Sequence, residues 1–246
     1  MRELVNTLLA IFAHPDDETS VAALLTTYAK RGVDVYLASI TSGQKGVKRT
    51  NLSGDALGAA REEELRCAAR HLGIHEPIFF GMQDQGISTR AAMESAAVRL
   101  RELIERLQPD VLITWGPDGI SGHPDHRSTS NIVTEVFQRR MLLRHKPRKL
   151  YYVLLPESRM ALLPPPFQTL SVHPVGDAFI TTEVDCRAGL DEAAAAVRCH
   201  KTQWDDARME QFGTLHREAM GGVVFLRLAL SETPIQPGHR ETDLFE

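Results

Sequence analysis

A Rossmann-like three-layer α/β/α sandwich with a mostly parallel sheet is the fold this sequence predicts, on three observations. Short, nearly continuous apolar runs alternate with stretches of helical period. The runs lack the in/out alternation of a half-exposed strand, as expected where helices cover both faces of a parallel sheet. The length of 246 residues suits one α/β domain of ~200–250 residues. With right-handed crossovers the strands and helices then wind into a Rossmann-like sandwich, and the chain reads as a single domain over 1–246.

The elements follow in order. Leu8–Ala13 forms a strand, and the helix after it carries Val21, Leu24, Leu25 and Tyr28 at the spacing of one buried face. Gly32 stops that helix and Val33–Ile40 forms the second strand. A Gly-, Ser- and Lys-rich loop, Ser42–Gly54, leads to a helix burying Leu65, Ala68, Ala69 and Leu72 and closed by Gly73. Strand Ile78–Phe80, a helix with Met93, Ala97, Leu100, Ile104 and Leu107, and strand Val111–Trp115 come next. A helix holding Ile132, Val133, Val136 and Phe137 precedes strand Tyr151–Leu155. Regularity lapses over 156–178, which includes Pro164-Pro165-Pro166, and a loop of this length is often a lid or contact surface. An ordered segment Phe179–Val184, a helix around Leu190–His200 and strand Val223–Leu230 follow. From Pro234 the chain reads as a polar tail, 234–246.

Composition excludes several function classes. Lys and Arg number 28 against 32 Asp and Glu, a net charge of −4, so the basic footprint of a nucleic-acid binder is missing. With 43% hydrophobic and 24% charged residues the chain is an ordinary globular one, neither disordered nor a disulfide scaffold. The early apolar run is too short to span a bilayer, so no membrane role and a cytoplasmic location are expected. Cys67, Cys186 and Cys199 are odd in number and far apart, and they read as free buried thiols.

Ligands of a parallel sheet bind beyond the carboxyl ends of its strands, and two such ends carry unusual chemistry. After the first strand the chain reads Ala13-His14-Pro15-Asp16-Asp17-Glu18; past the fourth it reads His123-Pro124-Asp125-His126. A dinucleotide site would need a glycine-rich turn there. The first turn instead has no glycine and three acids, which repel phosphate and attract a cation. With Pro15 at the first helical position, His14 and Asp17 can face one point, and His126 can join them from the other loop. A His14–Asp17–His126 set plus a water is the pattern of a catalytic zinc, although iron, cobalt or manganese suit the same donors. Asp16 then stands beside the metal-activated water as a base. His123, charged and held by Asp125, is placed to stabilise an oxyanion or to protonate a leaving amine.

These two motifs resemble those of the PIG-L/LmbE-like zinc-dependent N-acetylglucosaminyl deacetylases. The resemblance implies His14, Asp17 and His126 as zinc ligands, Asp16 as general base, and His123 with Asp125 behind it in oxyanion stabilisation. Two weaker matches extend it. Arg61-Glu62-Glu63-Glu64 is similar to an arginine-bearing helix whose arginine reaches substrate, and His200-Lys201-Thr202-Gln203 resembles a late His-x-x-Gln element. Arg61, His200 and Gln203 are therefore expected to bind substrate. The expected partner is a small N-acetylated sugar or conjugate, and family members often form homo-oligomers. A metal-dependent hydrolase of another amide or ester, or a non-catalytic binding module, remain the alternatives.

Overall fold

The computed structural model describes residues 5–46, 49–160, 162, 172–235 and 238–246. Seven strands form one sheet: β1 (Thr7–Phe12), β2 (Asp34–Thr41), β3 (Ile78–Met82), β4 (Val111–Trp115), β5 (Lys149–Val153), β6 (Thr182–Asp185) and β7 (Val223–Ser231). Their order is β3-β2-β1-β4-β5-β7-β6. β1 through β5 pair in parallel, and β7 runs antiparallel between β5 and β6. The mostly parallel three-layer sandwich is the architecture the alternation predicts.

Side-chain alternation along β1 divides the interior into two cores. Leu8, Ala10 and Phe12 pack with α1 (Ala22–Lys30), α2 (Gly54–Leu72) and a later helix, Leu190–Val197, on one face. Leu9 and Ile11 pack with α3 (Arg90–Leu107) and the Pro124–Gln138 helix on the other. Burying both faces of β1 makes it the central strand, and every side chain of it is buried. Helix ends obey local chemistry: Thr89 caps α3 by accepting the Ala92 amide, and Gly73 closes α2 with a positive φ.

β1 and β4 are neighbours in space, yet the chain leaves β1 toward β2 and β3 and leaves β4 toward β5. The sheet order therefore reverses between them. At such a switch point the loops after the two strands open a crevice at the carboxyl edge, and both histidine motifs lie there.

Three expectations need correction. The ordered segment expected over Phe179–Val184 becomes a strand only from Thr182 to Asp185, because Phe179 belongs to a 3-10 turn and is 54% exposed. The 156–178 stretch is partly ordered: Pro156 bridges Val175, and Glu157–Met160 forms one helical turn. Its triple proline lies outside the described residues. The third concerns the C-terminus, which is a strap rather than a tail. Glu241 bridges Thr182 beside β6, its carboxylate accepts from Lys149 Nζ, Tyr151 Oη and Thr182 Oγ1, and Leu244 is fully buried. Apart from Ile235, Leu244 and Phe245 the segment looks polar because its key residue is a buried acid, which hydropathy cannot separate from a solvated one.

Removing Glu241 leaves the Lys149 ammonium buried without its carboxylate. Glu241→Ala is expected to lower the free energy of unfolding by about 3 kcal/mol, read from denaturant midpoints. Glu63→Ala, at an exposed ion pair with Arg66, should change it by no more than about 0.5 kcal/mol. Equal effects would mean that the strap contributes nothing special.

Candidate active site and metal centre

The loop after β1 differs from the sequence expectation in one respect. Pro15 precedes the helix instead of opening it: Asp17–Ser20 is a 3-10 turn, and Asp16 before it adopts φ 115°. A non-glycine residue in this region is strained. Several groups hold it. The Glu18 carboxylate accepts the Asp16 amide at 3.0 Å, Thr19 Oγ1 donates to the Asp16 carbonyl, and Arg61 Nη2 donates to Asp16 Oδ1 at 2.8 Å and to the Pro15 carbonyl. The twist turns Asp16 and Asp17 to different sides.

Asp17 is anchored through one oxygen. Its Oδ2 accepts the amides of Ala13 and His14 at 3.0 and 2.9 Å, with Trp115 Nε1 at 3.4 Å, and its Oδ1 lies 3.2 Å from His126 Nε2. On the opposing loop Pro124 opens a helix, here α5 (Pro124–Gln138), after the short turn α4 (Gly119–Gly122). His126 Nδ1 donates to the Gly119 carbonyl at 3.0 Å, and the ring stacks on Trp115, so Nε2 is aimed at the crevice. Gly119 has φ 69°, and a side chain there would meet His126 Cβ at 2.9 Å. Only glycine allows that approach.

His14 completes the group. Its Nδ1 is 3.3 Å from His126 Nε2 and 3.7 Å from Asp17 Oδ2. Its Nε2 lies 3.2 Å from Asp84 and 3.4 Å from Asp125, although neither oxygen is in line for a hydrogen bond. Donors about 2.0–2.1 Å from a tetrahedral zinc stand about 3.3–3.4 Å from one another. His126 Nε2 thus stands at ligand spacing from both His14 Nδ1 and Asp17 Oδ1, and His14, His123 and His126 bring one nitrogen each within 4.8 Å of one another, a group able to hold a metal. Buried carboxylates backing a histidine's other nitrogen are the usual outer support of such a ligand.

Electrostatics at the crevice favour a cation. Burial works against the His14 proton, yet the carboxylates of Asp125, Asp17 and Asp84 raise its pKa well above the ordinary range. Burial likewise opposes ionised Asp17, but His126 and His14 hold it well below the usual carboxylate value. Asp16 is raised by burial, with Arg61 opposing and Asp17 adding to the effect. A raised carboxylate at the rim of the site is suited to taking a proton.

The structure groups the remaining expected residues differently. His123 shares the cluster, its ring centroid 4.8 Å from that of His14 and 5.0 Å from that of His126. Its Nδ1 caps α5 by accepting the Asp125 amide, which leaves Nε2 as the protonated nitrogen. The Asp125 carboxylate, expected behind His123, points elsewhere: Oδ2 accepts the Gln85 amide at 2.6 Å and faces His14. Burial, with His14 and His126 nearby, lowers the His123 pKa.

Arg61 and His200 are structural in position, contrary to the expectation that they face substrate. Arg61 is 3% exposed and ties Asp16 and Pro15 to the Gly43 carbonyl, where Gly43 has φ 65° and no room for a side chain. His200 is fully buried with Nε2 2.6 Å from Glu18. Gln203 is buried and donates to Thr202 Oγ1. Sequence reasoning missed Asp84 and left Glu18 without a structural role. Asp84 follows β3 at the same carboxyl edge, which was the available signal; its Oδ2 accepts the Lys45 amide, and its pKa falls to about 2 as burial is outweighed by His14.

Beside these loops lies an apolar cavity of about 140 Å³, walled by Ser20, Ile120, Leu155, Phe212, His216 and Phe225 among others. No helix among the described residues is long and apolar enough to cross a membrane.

The PIG-L family model, described as GlcNAc-PI de-N-acetylase, matches residues 9–137. The 1D-myo-inositol 2-acetamido-2-deoxy-α-D-glucopyranoside deacetylase of Acidothermus cellulolyticus is 32% identical over 98% of this chain and 95% of its own. Among solved structures, N,N'-diacetylchitobiose deacetylase from Pyrococcus horikoshii superposes with a TM-score of 0.66 at 22% identity, over 95% of this chain and 84% of that one. GalB, the 4-carboxy-2-hydroxymuconate hydratase of Pseudomonas putida, superposes at 0.69 with 16% identity, over 94% and 99%.

Burial pushes His216 down to about 4. An unfolded chain protonates this ring below its ordinary value of about 6.5 while the fold keeps it neutral. Its contribution to stability is therefore complete above about pH 6.5 and is lost as the pH falls toward 4. His216→Leu should flatten the decline in unfolding free energy between pH 7 and 4.5. A slope identical to wild type would show the ring to be solvated.

Proposed function

The chain belongs to the PIG-L family of GlcNAc-PI de-N-acetylases, and we propose that it is a zinc-dependent deacetylase of the acetamide in a small N-acetylglucosamine-type conjugate, acting in the cytoplasm. The sugar–inositol conjugate in the names of its relatives is the first substrate to try. One observation carries the reading: His126 Nε2 stands at metal-ligand spacing from a His14 nitrogen and an Asp17 carboxylate oxygen of the other strand-end loop, and the Asp16 carboxylate is near enough to feel both Asp17 and His14. In this reading His14, Asp17 and His126 hold the metal through Nδ1, Oδ1 and Nε2.

When bound, a divalent metal supplies Lewis-acid polarisation of the acetamide carbonyl and acidifies water to a pKa of roughly 7. Arg61 occupies Asp16 Oδ1, so Oδ2 is the atom that takes the proton of the attacking water. The raised pKa of this carboxyl suits it to keep that proton and then deliver it to the departing amine. The Nε2–H of His123 donates to the oxyanion that develops on the acetyl carbonyl. Asp84 and Asp125 orient His14 through its other nitrogen. Arg61 and His200 act as positioning residues: Arg61 grips Asp16 directly, and His200 acts through Glu18.

Asp16→Asn is expected to retain stoichiometric metal while kcat on the N-acetylated conjugate drops about 10²–10⁴-fold; near-normal turnover would sink the proposed base. Asp84→Asn should weaken metal binding about 10–100-fold in a chelator competition, with an unchanged affinity removing Asp84 from the outer support. Hydrolysis of simple esters in preference to the acetamides would overturn the substrate class but not the metal site.

A further inference from the structure

The cysteines do not behave as separate free thiols. Cys67 and Cys199 form a disulfide across 132 residues of sequence, with a Cα–Cα distance of 5.9 Å, and only Cys186 is free among the described residues. The correction has a simple origin. Helix α2 packs against the Leu190–Val197 helix, whose end presents Cys199 to the face of α2 that carries Cys67. Nothing in the sequence spacing announces that contact.

A third group stands at the same place. His71 follows Cys67 by four residues on α2, one turn along the same face, and its ring nitrogen lies within 4.8 Å of both sulfurs. No described protein group hydrogen-bonds that ring, and it is exposed, whereas Cys199 is buried and Cys67 half-buried. The cluster therefore has a packed side formed by sulfur and an open side formed by imidazole.

We propose that Cys67, His71 and Cys199 form a second metal site, for a thiophilic divalent ion of the zinc type, which is available when the disulfide is open. A dithiol reductant opens it: two electrons and two protons pass to the cystine, giving two thiols, and the reductant closes to its own disulfide. Metal entry then displaces the two thiol protons and leaves two thiolates and one neutral imidazole as ligands, with solvent at the fourth position. Two soft sulfurs and a nitrogen are a donor set that selects zinc-class ions over calcium or magnesium. Sulfurs on a tetrahedral zinc stand about 3.8 Å apart, a separation that side-chain rotation across the observed backbone gap provides.

Disulfide and metal are alternative cross-links between α2 and the turn that follows the Leu190–Val197 helix. Both elements matter to the crevice, since α2 carries Arg61 and Cys199 directly precedes His200. The second site nevertheless stands independently of the proposed reaction, because none of the first site's donors is sulfur.

Cobalt(II) separates the two sites optically, since only thiolate ligation gives an intense sulfur-to-cobalt band in the near ultraviolet. Full-length protein, stripped of metal and reduced with a phosphine, is titrated with Co²⁺ alongside the oxidised protein. The expected result is two equivalents and the thiolate band in the reduced protein, against one equivalent and no band in the oxidised one. The band should vanish in Cys67→Ser and in Cys199→Ser, weaken in His71→Ala and persist in Cys186→Ser. Absence of the band from reduced wild type at saturating Co²⁺ overturns the site without any variant having to fold. Its survival in Cys67→Ser, or its loss in Cys186→Ser, overturns the assignment of the ligands. A weakened catalytic site would remove the other equivalent and leave the band in place.

Discussion

Four carboxylates lie almost out of water at one edge of the sheet, Asp17, Glu18, Asp84 and Asp125, with Asp16 partly exposed among them. A buried carboxylate without partners costs several kcal/mol, so each needs a donor. Most of the donors are backbone amides: Ala13 and His14 for Asp17, Asp16 for Glu18, Lys45 for Asp84 and Gln85 for Asp125. Amides satisfy oxygens without neutralising them. Arg61 adds positive charge at Asp16, and the His200 ring stands 2.6 Å from Glu18. On the side facing His14 and His126 the carboxylates meet imidazoles, whose nitrogens a proton or a metal can occupy.

Sheet order makes such crowding possible. Each strand end delivers a short loop, and β3, β2, β1 and β4 are consecutive in space. Asp84, Lys45, the His14–Glu18 loop and the His123–His126 loop arrive at one crevice although more than a hundred residues separate the first loop from the last. Hydrophobic burial in the two cores on either face of β1 holds these ends in register. Arg61 and His200, expected from weaker motif matches to bind substrate, lie instead against the carboxylates of Asp16 and Glu18.

The strands and helices were largely legible because short apolar runs, period 3.6 and glycine stops are local signals. Leu8–Ala13 and Val111–Trp115 needed nothing beyond an apolar run and its flanks. The His14/Asp17/His126 grouping was also legible, since two motifs at two strand ends must meet once β1 and β4 pair. Four features were not. Asp125 turning to His14, the Glu241 strap, the Cys67–Cys199 bond and the burial of Arg61 each depend on a partner remote in sequence. A lone buried acid reads like a surface acid, and a cysteine pair 132 residues apart reads like two single thiols. Asp84 lay between these cases, a strand-end acid with no histidine next to it to mark it.

The same fold also carries a hydratase, GalB, so architecture alone does not select amide hydrolysis, and the chemistry has to come from atoms at the crevice. Asp16 is the informative one. Holding a non-glycine residue at φ 115° costs of order 1–3 kcal/mol, and a chain free to relax would not keep that conformation. Here the Glu18 carboxylate, the Thr19 hydroxyl and the Arg61 guanidinium all act on the one residue. Glu18 is in turn braced by a fully buried histidine from the far end of the sequence. Relaxing the turn would break the Arg61 contact to Asp16 and move its carboxylate. Strain retained against relaxation, and supported from three directions, marks the position of that carboxylate as the quantity this part of the structure is built to maintain.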